Sequence, residues 1–187
     1  MKKVLISFLV FVLATASVAY AANKILVSKG TPLLFADGAQ AEDVTITLSA
    51  LNAGAGRCSA RYTKTGANVK SQRWEMRPHL QLTGTNVVNE VVEFYISTSD
   101  GATAQGAIAT TDAALVTDKR KNLTSVGNLV VDQTTTNTTM GAAFSNIQID
   151  EAYFSVCVWN ASSLPFKTDT AVHGIVMTPM DIEVQSN

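Results

Sequence analysis

Two cysteines, Cys58 and Cys157, and two histidines, His79 and His173, are the whole thiol and imidazole stock of this 187-residue chain. Neither cysteine reads as catalytic or zinc-binding: there is no C-x-x-C spacing, and only His79 and His173 exist to complete a site. The chemistry open to the cysteines is a disulfide, and the alternative is two buried free thiols that pack as small hydrophobes. Each lies in a strand-like run, Arg57 to Arg61 and Phe154 to Val158, so a bridge would join strands across a sheet or across the core. It would close a loop of nearly a hundred residues, for which chain entropy gives roughly 4 to 5 kcal/mol.

Acid-base chemistry has little to work with. Carboxylates pair at Glu42-Asp43 and Asp150-Glu151, with Glu90 near Glu93, but these sit at expected strand ends, where solvated acids are common, and lack dense oxygen-ligand spacing. His79 alternates with apolar neighbours and reads as an outward strand residue; His173 opens the last long strand in a structural position. No G-x-S-x-G, H-E-x-x-H, P-loop or G-x-G-x-x-G is present. The expectation is therefore a non-enzyme with no catalytic residues, no metal and no cofactor. Binding chemistry is better represented. Trp159 beside Asn160 could stack on and hydrogen-bond a sugar, and Tyr62 and Tyr95 could extend such a platform; buried core aromatics are the competing reading. Asn122, Asn137 and Asn160 open N-x-S/T sequons, which mark glycosylation sites in a eukaryotic secreted chain and arise by accident in one so rich in threonine.

The chain's start bears on where this chemistry operates. Lys2 and Lys3 precede an apolar run from Val4 to Val18, and Ala19-Tyr20-Ala21 follows as a small-x-small site. This pattern predicts a secretory signal peptide over residues 1–21, an extracytoplasmic mature protein beginning at Ala22, and no stable membrane span after cleavage, since about 20 apolar residues are needed to cross a bilayer. Disulfides persist in such compartments. The formal net charge is −1 and becomes more negative once the two lysines leave, which disfavours nucleic acid as a partner. Lys119-Arg120-Lys121, behind Asp118, reads as a solvated turn.

Residues 22–187 have the length of one domain. Valine, threonine, isoleucine and aromatics gather in short segments: Ile25 to Ser28, Val44 to Leu48, Arg57 to Thr63, Gln72 to Leu82, Val91 to Ser97, Leu129 to Asp132, Phe144 to Ile149, Ala152 to Trp159 and Val172 to Thr178. A period of two puts Trp74, Met76, Leu80 and Leu82 on one face, with Arg73, Glu75, Arg77, His79 and Gln81 towards water. Val92, Phe94 and Ile96 form a second apolar face, and Phe154, Val156 and Val158 a third. Ala152 to Trp159 can bury both its faces and reads as a central strand. Ser97 to Asp118 is small and polar and is expected as a long surface excursion; Gln133 to Thr139 is an exposed strand or a loop. The fold class that follows is all-β, a single antiparallel β-sandwich of jelly-roll-like or immunoglobulin-like topology.

Asp118 to Asp132, Tyr153 to Ala161 and His173 to Gln185 together resemble a family of small tailed-phage virion proteins. In the first half Lys29-Gly-Thr-Pro32, Thr45 to Leu51, Gly56-Arg57 and Tyr95 to Gly101 are similar to the same outline. The resemblance covers most of residues 22–187 through scattered short motifs, in a family that ordinarily carries no export signal. It implies a structural β-sandwich on a capsid or tail, a decoration or fibre-like module that binds other virion proteins or its own copies and has no active site. The second expectation is a secreted or periplasmic module that binds surface glycans through Tyr62, Tyr95, Trp159 and Asn160.

Overall fold

A chain this rich in β-branched and aromatic residues, and this poor in helical periodicity, can hide its apolar faces only by stacking sheets. The computed structural model describes residues 24–38, 40–101 and 109–185, and is built from two sheets packed face to face. The signal-peptide expectation for residues 1–21 lies outside the described residues. Two compact units are distinguished. In the unit formed by the chain's ends, 24–28 and 182–185 among the described residues, β1 (Lys24–Lys29) pairs with β13 (Gly174–Gln185).

The sandwich is the unit Lys29–Asp181. Its first sheet runs β10 (Met140–Gly141) and β11 (Phe144–Gln148), both on β6 (Arg73–Leu80), then β13, β2 (Leu33–Ala36) and β3 (Val44–Thr45). Its second runs β8 (Ala113–Leu115), β4 (Gly56–Cys58), β12 (Tyr153–Asn160), β7 (Val91–Ser99) and β9 (Thr124–Val130), with β5 (Tyr62–Thr63) also on β12. The antiparallel pairs nest: β2 with β13, β4 with β12, β6 with β11 and β7 with β9. A long hairpin wound up so that β13 lies against β6, and β12 against β7, has this order. The topology is a jelly roll, the first of the two alternatives left open by the periodicity.

The core lies between the sheets. Trp74, Met76, Leu80, Leu82, Val92, Phe94, Ile96, Phe154, Val156 and Val158 are all buried in one cluster, as the alternation requires. Aromatic rings tie the sheets together at its centre: Phe154 lies 5.2 Å from Trp74, 5.3 Å from Tyr62 and 6.0 Å from Phe35 between ring centroids. β12 is interior to its sheet and buried from Phe154 to Asn160.

Several segments depart from expectation. Leu33–Ala36 is a strand, hidden in the sequence because four apolar residues between Pro32 and Asp37 have no alternation to read. The expected strand Arg57 to Thr63 breaks into β4 and β5, where Ser59 turns its hydroxyl onto the Val156 amide at 3.1 Å. The supposed excursion from Ser97 to Asp118 is partly sheet. β7 continues to Ser99, Leu115 is buried in β8, and Asp112 accepts two hydrogen bonds from Arg57 at 2.7 and 2.6 Å and one from the Thr47 amide at 3.1 Å. Residues 102–108 of that stretch lie outside the described residues. Gln133 to Thr139 contains no strand and is largely exposed.

The polar side of β6 is also less wet than expected. Glu75 is buried and accepts from Lys29 at 3.0 Å and from Arg77; these hydrogen bonds hold its carboxyl below the usual carboxylate range. Lys64 is buried too, its ammonium donating to the carbonyls of Ser71 at 3.1 Å and Ile149 at 2.8 Å, while burial pushes its pKa down.

His173 is structural in its surroundings. Fully buried, it stacks on Phe166 at 5.5 Å, lies 2.8 Å through Nε2 from the Lys167 carbonyl and accepts the Gln81 amide at Nδ1, 3.4 Å away. Burial, aided by the charge of nearby His79, holds its pKa below that of free histidine against the opposing pull of the Lys167 carbonyl, Asp169 and Asp37. The unfolded chain therefore takes up this proton first, and the stability owed to a neutral His173 is present above about pH 6.5 and declines as pH falls below it. His79, half-buried and depressed by burial, adds in the same sense. Denaturant midpoints between pH 7.5 and 5.5 should fall more steeply for the native chain than for a His173→Gln variant; parallel slopes would show that the folded protein takes up this proton as readily as the unfolded chain.

Candidate functional site

The side chains with binding chemistry are distributed by strand parity. On β12 successive residues face opposite sides, so Trp159 points to the outer surface of its sheet and Asn160 towards the core. The pairing register places Trp159 opposite Glu93 and Gly56, and Cys157 opposite both Tyr95 and Cys58. Trp159, Tyr95, Glu93 and the two cysteines therefore share the outer face, while Tyr62, opposite Phe154, belongs to the inner one. The four residues expected to make a ligand platform do not come together.

Each is also occupied. Asn160 donates its amide to the carbonyls of Leu51 (3.2 Å) and Leu164 (2.9 Å) and accepts from the Ser162 amide (3.1 Å) and hydroxyl (2.6 Å). It is fully buried, so in the folded chain its sequon is closed to glycosylation, whereas Asn122 and Asn137 are exposed. Tyr62 packs its ring between Phe35 and Phe154 and accepts from the Asn68 amide at 3.1 Å.

On the outer face a small second core has formed. Cys58 and Cys157 are joined in a disulfide, and with Leu115 and Trp159 they make a buried cluster against which Tyr95 and Leu123 pack. The bridge links neighbouring strands within one sheet, at directly opposed positions with a Cα separation of 4.0 Å. Of the two alternatives, across a sheet or across the core, the bridge takes the first, because both cysteines sit on the side of β4 and β12 that faces away from the other sheet. Gly56 makes room for the indole: a β-carbon there would lie 2.6 Å from Trp159 Cε3.

The lid of this cluster comes from the turn after β8. The one-turn helix Thr117–Arg120 sets the Arg120 guanidinium 4.4 Å above the Trp159 ring centroid and 2.9 Å from Glu93, which accepts the Tyr95 hydroxyl at 2.6 Å. Burial first, and this hydrogen bond second, push the Tyr95 pKa up to about 12. Arg120 and Glu93 depart from the expectation of a solvated turn and a solvated strand-end acid, and only the arginine chemistry between two lysines, suited to stacking and to a carboxylate at once, hints at this role in the sequence. At the far end of the same strand face Arg61 lies 4.7 Å over the Tyr153 ring. The other acidic pairs are engaged locally: Asp43 accepts the Leu34 backbone amide at 2.8 Å and Asp150 the Gln148 side-chain amide at 2.8 Å. Among the described residues no three His, Cys, Asp or Glu side chains are grouped to hold a metal ion.

Arg120→Ala should uncover the indole at a cost of about 1 kcal/mol, the scale of a partly shielded cation–π contact. Acrylamide quenching checks it: emission should become more accessible in the variant, with Trp74, fully buried in the main core, silent in both proteins. Unchanged quenching would mean that other atoms cover Trp159.

No protein-family model matches the chain, and no curated protein matches it in sequence. Among the described residues no helix is long and apolar enough to cross a membrane, and a buried disulfide suits an oxidising, extracytoplasmic setting.

Proposed function

We propose that this chain is a non-enzymatic structural protein, exported by its N-terminal signal and displayed on a phage virion as a decoration or fibre-like module. Jelly rolls serve as capsid and as lectin domains alike, so the choice between the two rests on the surface. The observation that carries it is the closed outer face of the second sheet: disulfide, indole, guanidinium, carboxylate and phenol satisfy one another there, as in a rigid scaffold, instead of being presented to a ligand. Contacts to other virion proteins, or to further copies of the chain, then fall to the sheet edges and loops. The resemblance of Asp118 to Asp132, Tyr153 to Ala161 and His173 to Gln185 to tailed-phage virion proteins supplies the setting.

Mass spectrometry and immunogold labelling of gradient-purified particles from the source test the reading. The protein should co-purify in many copies per particle with its N-terminus at Ala22. Particles devoid of it, with the protein recovered only from the soluble extracytoplasmic fraction, would sink the virion assignment.

A further inference from the structure

Among the described residues the two sheets end, on one side of the sandwich, in edges that lie side by side: β9 pairs only with β7, and β11 only with β6. Phe144 seals the core between them, its ring packed where a β-carbon on Gly127 would come within 2.6 Å of Cε1. Beyond that seal the edges part into a cleft of about 220 Å³ lined by Thr124, Ser125, Val126, Ser145, Asn146, Ile147 and Gln148.

Both edges are irregular at this place. In β9 the partners of Phe94 and Tyr95 are Gly127 and Ser125, so Val126 is an extra residue; in β11 Ser145 and Asn146 together span the single residue Glu75. Asn146 takes a left-handed conformation at φ 63°, which asparagine tolerates better than most residues. Bulges interrupt the even spacing of edge amides and carbonyls that an added strand needs, and they re-aim side chains. Two of them, from different sheets, converge on one cleft. That argues against an extended peptide and for a compact ligand. The lining carries hydroxyls and amides with no ionised group among them, and Val126 and the nearly buried Ile147 supply an apolar floor. Neutral donors and acceptors over an apolar patch match a molecule with many hydroxyls on a hydrocarbon ring.

We propose that the cleft between β9 and β11 is a binding subsite for an uncharged sugar residue of a glycan. Its lining includes neither Tyr95 nor Trp159, although Ser125 is paired with Tyr95 across β7 and β9, and it does not rest on the virion reading. The test uses the full mature protein against an array of neutral and acidic glycans, followed by amide NMR titration with the best neutral oligosaccharide. Expected are a neutral hit, shifts confined to residues 124–126 and 145–148, and affinity lowered about tenfold, a change of one hydrogen bond's order, in Asn146→Gly. Glycine keeps the left-handed backbone while removing the amide; Ser125→Ala, on the other strand, should weaken binding as well with an unchanged melting temperature. No neutral hit at millimolar concentration, a preference for acidic glycans alone, shifts centred on Tyr95 or Trp159, or native affinity in both variants would each overturn the proposal.

Discussion

Replacing Cys58 and Cys157 together by alanine should lower the unfolding free energy by about 4 kcal/mol, the largest loss expected from any surface-side change in this protein. The sequence separation of 99 makes the released loop span more than half the chain, so the unfolded state gains most of the freedom that a single bridge can withhold. The native strands lose less. β4 and β12 remain paired by backbone hydrogen bonds, and two methyl groups still sit beneath Trp159 and Leu115. Urea unfolding of the double variant checks this: a loss below about 1 kcal/mol would mean that the unfolded chain is already confined by other contacts. Since both sulfurs are buried, a reductant should act slowly on the folded protein and rapidly at denaturant concentrations that open the sheet.

Phe154→Ala should cost about 3 to 5 kcal/mol through lost burial and the cavity left behind. The site has little capacity to collapse, because its ring is held by Phe35 and Trp74 from one sheet and by Tyr62 from its own. Phe154→Leu keeps much of the volume and should cost under about 1.5 kcal/mol. Equilibrium denaturation of both variants separates the contributions; equal losses would show that aromatic geometry, and not filled volume, is what the centre of the core requires.

The faces of β6, β7 and β12 were legible because a period of two is local: each strand announces its own core side. The parity that separates Trp159 from Asn160 is written in the same pattern, since adjacent residues of one strand face opposite sides. What could not be read was which strands are neighbours. Whether Cys58 meets Cys157 within a sheet or across the core, whether Arg120 finds Trp159, and whether the sandwich is a jelly roll all depend on register between distant segments. Leu33–Ala36 and the first half of β9 were missed for a different reason: one has no alternation, and Thr124, Ser125 and Gly127 are too small to signal a strand. The bulges that open the β9–β11 cleft leave no mark in the sequence, since an extra residue is defined only against the partner strand.

Nested pairing also sets an order in time. Of the nested antiparallel pairs only β7 and β9, the innermost, lie close along the chain; β4 is nested with β12, and β2 with β13, which also forms the interior of its sheet. Neither sheet can close until β12 and β13 have been made, and contacts of such long sequence separation form slowly even then. A chain that must wait for β12 and β13 keeps the earlier strands that pair with them unpaired on that side, and so threadable, while they are being made.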